Sequence, residues 1–289
     1  MNPAKAVRGR LALLCAALIW GIGFVVMKDT LNSVPVFTLL GLRFSIGLGM
    51  MSLLFYQHWR HVRRSCLIHG LILGGLEFAA YVVQTFGLTE TTPGNNAFLT
   101  AVYCVLVPFV DWLVFRRRPL FRNWFAGMVC ICGIGLIALD RQLRIGRGDA
   151  LSLLSGVLYA FQVTCLSVYA REDDPIQLTL ITFAIVSLGS WAFALAVESG
   201  QTYSLAGCWF QLAFLGIMAT GVALLLQNVG QALTPAGQAG ILLSMESVFG
   251  AAASVLLGYE LLIVRKALGF TAVFLAVLVS EAVFAGKQE

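Results

Sequence analysis

Gln84-Thr-Phe-Gly87…Thr91…Gly94…Leu99 recurs 143 residues later as Gln227-Asn-Val-Gly230…Thr234…Gly237…Leu242. Each copy bridges two long apolar stretches. Positions 82–99 against 225–242 give five identities in 18, and the pairs Val105/Val248 and Leu113/Leu256 extend the match. A second alignment, at an offset of 139, sets Gly9 on Gly148, Trp20 on Tyr159 and Arg43-Phe44 on Thr182-Phe183. The two alignments keep the apolar stretches in register and divide the chain into repeats at 1–142 and 143–289, forming one structural unit. With five spans per half, the halves enter the membrane in opposite orientations. Secondary transporters often have that build.

Composition demands lipid as the solvent. Of 289 residues, 59% are hydrophobic and 11% charged, and the mean hydropathy is +0.88. A soluble domain carries about 25% charged residues. The apolar run from Leu11 reads as a first membrane helix, since it is spanning length and no small-residue cleavage site ends it. Ten spans are expected at 10–28, 35–56, 67–88, 95–115, 121–140, 149–170, 176–198, 207–229, 236–257 and 264–284, an all-α polytopic fold. No loop is long enough to hold a soluble domain.

Lys and Arg set the orientation. With a cytoplasmic N-terminus, twelve lie inside, among them Lys5, Arg60, Arg116–Arg118 and Lys287. Six lie outside: Lys28, Arg141, Arg144, Arg147, Arg265 and Lys266. This bias predicts both termini in the cytoplasm and a plasma (inner) membrane location. The net charge of +5 is explained by these loops and does not point to nucleic acid. No cofactor is expected. Cys130-Ile-Cys132 has the wrong spacing for zinc and no nearby His, so no metal is expected either. His58, His61 and His69 read as solvated loop residues.

The order of motifs along the chain resembles an EamA-type member of the drug/metabolite transporter superfamily. The residues are Ala17-Leu-Ile-Trp-Gly-Ile-Gly-Phe24 with Lys28, Leu42-Arg-Phe44, Gly87 through Leu99, Met245-Glu-Ser-Val-Phe-Gly250 and Leu257-Gly-Tyr-Glu-Leu261. The resemblance implies ten helices in two inverted repeats around a central cavity. It also implies a small organic solute, and many similar proteins export amino acids or other metabolites. One departure is that Arg117 stands in the first repeat where Glu260 stands in the second.

Three charges sit inside spans, where each costs about 2.5–3.5 kcal/mol on insertion scales. Glu77 and Glu246 lie about ten residues from the inner ends of their spans, roughly 15 Å deep at 1.5 Å per residue. Arg43 falls in the same slab. Two readings are open. Arg43 pairs with one carboxylate as a static strut, or the three groups bind solute and Glu77 or Glu246 couples to H+. Glu77 is the sharper candidate because Thr220 replaces it in the other repeat. Glu77, Tyr81 and Gln84 share one helix face, as do Asn96, Thr100 and Tyr103. Gln227 repeats Gln84. Trp20 and Tyr159 match across the repeat, and the resemblance implies that their helices line the cavity. The candidate solute-binding set is therefore Trp20, Arg43, Glu77, Tyr81, Gln84, Asn96, Tyr103, Tyr159, Gln227 and Glu246.

The favoured function is a secondary transporter working by alternating access, its two halves rocking about a central solute. Facilitative uptake or exchange is the alternative. An intramembrane enzyme is remote: HExxH, Gly-x-Ser-x-Gly and paired intramembrane aspartates are all missing, and no Walker motif supplies ATP as a driver. Oligomeric state is not readable from the sequence, and a monomer fits.

Overall fold

The computed structural model describes residues 3–60, 62–139, 145–234 and 236–285. Arg141, Arg144, Lys287 and His61 lie outside the described residues. The chain forms ten helical spans: α1 Pro3–Thr30, α2 Val36–Leu54, α3 Arg64–Glu90, α4 Pro93–Phe115, α5 Phe121–Ala138, α6 Arg147–Tyr169, α7 Pro175–Glu198, α8 209–232, α9 Ala236–Leu256 and α10 Val264–Ala285. Eight are long and apolar enough to cross a membrane on the residues described. The other two, α9 and α10, have 21 and 22 residues. Nine have both ends within about three residues of the expected span, and α1 starts earlier than expected, at Pro3.

Helix packing obeys the repeat. α3 packs along α6, as α8 packs along α1; α4 meets α6 as α9 meets α1; α3 meets α7 as α8 meets α2. The pairs α2/α7, α4/α9 and α5/α10 map onto themselves. Exchanging helix n with helix n+5 thus carries each of these interfaces onto another of them or onto itself. The chain reverses at each span, so α6 runs opposite to α1 and the symmetry is an inverted one.

The repeats are intertwined, contrary to the picture of one half rocking on the other. One lobe joins α1 and α2 to α8 and α9, and the second joins α6 and α7 to α3 and α4. The cause is close approach at the duplicated glycines. A Cβ on Gly87 of α3 would lie 2.9 Å from the Gly148 carbonyl oxygen of α6. Its mate Gly230 of α8 meets the Gly9 carbonyl oxygen of α1 at 3.0 Å. Only glycine allows these backbones to approach so closely.

Irregular turns have identifiable partners. α4 breaks at Val102, six residues before Pro108. Proline lacks the N–H that would bond the carbonyl four residues back. That carbonyl belongs to Cys104, and Ser280 Oγ of α10 donates to it at 3.3 Å. α7 ends in a π turn at Ala194–Glu198. There the buried Glu198 carboxylate accepts from the Phe37 and Thr38 backbone N–H groups at 2.9 and 2.8 Å, capping α2.

The two faces are pinned differently. On the face of the α3–α4 turn, Lys28 Nζ donates to the carbonyls of Leu88, Thr89 and Thr91 at 2.7–3.0 Å, and so caps the C-terminus of α3. Glu260 accepts from Lys266 and from Thr92, both at 2.8 Å. Its side chain occupies the space that a Cβ on Gly94 would need. At the opposite face, His58 contacts Asp174 and His69 contacts Asp173, each at 2.6 Å. These histidines are therefore not simply solvated: the acidic 172–174 turn folds back to meet them.

Candidate functional site

A cavity of about 220 Å³ lies at mid-membrane, lined from α1–α4 and α6–α9. Among the described residues α5 and α10 contribute none to its lining, and they pack against each other instead. Twenty of the twenty-two lining residues form ten repeat-related pairs. Trp20 faces Tyr159 across the pseudo-twofold, Phe44 mates Phe183, and Gln84 mates Gln227. The frame is symmetric, but its chemistry is not: Glu77 mates Thr220, Tyr103 mates Glu246, Tyr81 mates Leu224, and Gln162 mates Gly23.

Arg43 is 5% exposed and is held by neutral groups. Its Nε donates to Thr220 Oγ1 at 2.9 Å, Nη1 to Met27 Sδ at 3.4 Å and Nη2 to Tyr81 OH at 3.3 Å. The guanidinium carbon lies 4.9 Å from the centre of the Tyr81 ring. Among the described residues no ion pair within 4.0 Å joins Arg43 to Glu77 or Glu246. The close static strut is therefore absent. Neither half-buried carboxylate hydrogen-bonds to a described residue, and both line the cavity.

Local backbone explains the seat of Arg43. α8 carries a π segment at Phe214–Val222, a wide turn that shifts carbonyl partners by one residue. Thr220 Oγ1 donates to Leu215 O, five residues back, at 2.8 Å. The Ala219 carbonyl turns outward and accepts from Trp20 Nε1 at 2.7 Å. The equivalent stretch of α3 is regular α-helix.

The remaining candidates divide. Gln84 is buried and bonded at both ends of its amide: it donates to Thr100 Oγ1 and accepts from Tyr159 OH, both at 3.2 Å. Gln227 lines the cavity with no hydrogen bond to a described residue. Tyr81 and Tyr159 meet edge to face at 5.7 Å, with Tyr103 beside them at 6.3 Å. Asn96 does not line the cavity; it is fully buried and donates to Gln84 O at 3.2 Å and Ser152 Oγ at 2.7 Å. It ties α4 to α3 and α6 behind the wall. Gln162 and Met27 line the cavity and were not anticipated from the sequence. Carrying Gly23 across the 139-residue offset would have found Gln162.

Fold and site together define a class: a polytopic helical protein with an inverted repeat and a charged cavity inside the membrane. The chain belongs to the EamA-like transporter family, whose model matches residues 7–139 and again 146–281. It is 30% identical over 279 residues to an uncharacterized transporter of Archaeoglobus fulgidus, covering 95% of this chain and 86% of that one. A protein of known crystal structure shares the fold, with a TM-score of 0.68 at 14% identity, over 97% of this chain and 99% of that one. The protein is thus a multi-pass membrane transporter, which implies a small-molecule solute and a role other than catalysis.

Proposed function

We propose that the protein is a secondary transporter that exports small organic metabolites such as amino acids by alternating access. The observation that carries this reading is the set of uncompensated charges at mid-membrane. Arg43, Glu77 and Glu246 line one cavity without pairing closely. Isolated charges in lipid are costly, so a bound solute or a proton is the natural completion. The two intertwined lobes rock about that solute. Arg43 receives a carboxylate, Glu77 an ammonium group, and Trp20, Tyr81, Tyr103 and Tyr159 form the walls with Gln227. Glu77 and Glu246 are the candidates for proton coupling. Both termini are cytoplasmic, in the plasma membrane.

The test is a release profile over amino acids from cells with and without the gene. Faster release of one group of amino acids in cells carrying the gene supports export. Faster accumulation instead supports uptake or exchange, and unchanged profiles for every amino acid contradict the reading.

A further inference from the structure

The charge count at the cavity is uneven. One guanidinium faces two carboxylates, and the other lining side chains are neutral. All three charges line the same cavity, so they form one cluster. They nevertheless stay more than 4.0 Å apart as ion pairs, and Arg43 is held by Thr220, Met27 and Tyr81. A simple zwitterion would balance Arg43 and one carboxylate and leave the other bare in the membrane interior, an unfavourable state. A diamine would leave Arg43 bare. A solute with one carboxylate and two amino groups balances all three.

We propose that the transported solute is a small dibasic amino acid, a net monocation, with its carboxylate at Arg43 and its two ammonium groups at Glu77 and Glu246. This rests on the transport reading above and adds the solute class. The repeat supports it. Each charged position is neutral in the other half: Thr182 for Arg43, Thr220 for Glu77, Tyr103 for Glu246. Three inequivalent charges call for a solute with three distinct ends. The aromatic ring of Tyr159, which lines the same cavity, favours ammonium groups further. A cavity of about 220 Å³ accommodates a solute of this size. Glu77 belongs to one lobe and Arg43 and Glu246 to the other, so such a solute also bridges the lobes.

The test is counterflow in proteoliposomes of the purified full chain, using L-lysine, its uncharged-side-chain analogue L-norleucine, and cadaverine, which lacks the carboxylate. The expected result is L-lysine counterflow without a pH gradient, with norleucine and cadaverine weaker by about tenfold or more. Glu246→Gln should reverse the preference toward norleucine while keeping its elution profile and thermal unfolding. Norleucine outrunning lysine in the wild type, with or without a proton gradient, overturns the proposal and leaves the transport reading standing. In that case a proton, rather than a second ammonium, balances the spare carboxylate. Unaltered lysine preference in Glu246→Gln also overturns it. Silence toward every amino acid overturns both.

Discussion

Arg43 of α2 donates to Thr220 of α8 at 2.9 Å, and the same two positions in the other repeat hold Thr182 and Glu77. One seam of the inverted repeat thus carries a cation against a hydroxyl, and its mate carries a carboxylate opposite a hydroxyl position. Charge asymmetry is written onto a symmetric frame at the level of single residues.

Thr220→Val keeps the size of the side chain and removes the acceptor for Arg43 Nε. Losing a hydrogen bond to a charged group costs about 1.5–3 kcal/mol. Thermal unfolding in detergent should shift down accordingly, and Thr220→Ser should recover most of the shift. A Thr220→Val protein as stable as the wild type would mean that the guanidinium finds another acceptor.

The two glutamines of the duplicated segment should differ in reactivity. In a background without native cysteines, Cys at position 227 should react readily with a small aqueous thiol reagent, and solute should protect it. Cys at position 84 should react more slowly, because Gln84 is 5% exposed behind Thr100 and Tyr159. Equal rates at both positions would contradict the asymmetry of the cavity wall.

Ser280→Ala should destabilise by about 1 kcal/mol, because it removes a donor to the Cys104 carbonyl, which cannot accept from the proline at position 108. Combining it with Pro108→Ala restores an N–H to α4 and should shrink the penalty. Additive losses in the double variant would show that Ser280 serves something else.

Two glycine substitutions should have opposite signs. Nothing lies within 4 Å of a Cβ on Gly75, so Gly75→Ala gains helix propensity of up to about 1 kcal/mol. Gly87→Ala pushes into the Gly148 carbonyl at 2.9 Å and should lower both folded yield and melting temperature. Similar melting temperatures for the two variants would argue against the close α3/α6 crossing.

The span count and the inverted repeat were legible because lipid imposes length and apolarity on every helix, and because Gly87 and Gly230 are retained for backbone contact. Nine of the ten candidate residues line the cavity, three of them because Glu77, Tyr81 and Gln84 share one helix face. Asn96 shares the stripe of Thr100 and Tyr103, but its side chain turns behind the wall to tie α4 to α3 and α6. Helical spacing gives a face and not a depth within the packing. The intertwining of the repeats and the π segment that seats Arg43 were not legible. Both depend on contacts between residues of different spans, from Gly87 against Gly148 to Arg43 against Thr220.

The central claim is that a charged mid-membrane cavity carries solute between the sides of the membrane. The most direct measurement is amino-acid counterflow by purified protein in liposomes, with Arg43→Ala and Glu77→Gln set beside the wild type. The account predicts counterflow in the wild type and a loss of about tenfold or more in each variant, with elution profile and thermal unfolding showing intact folds. Equal flux in all three proteins would contradict it.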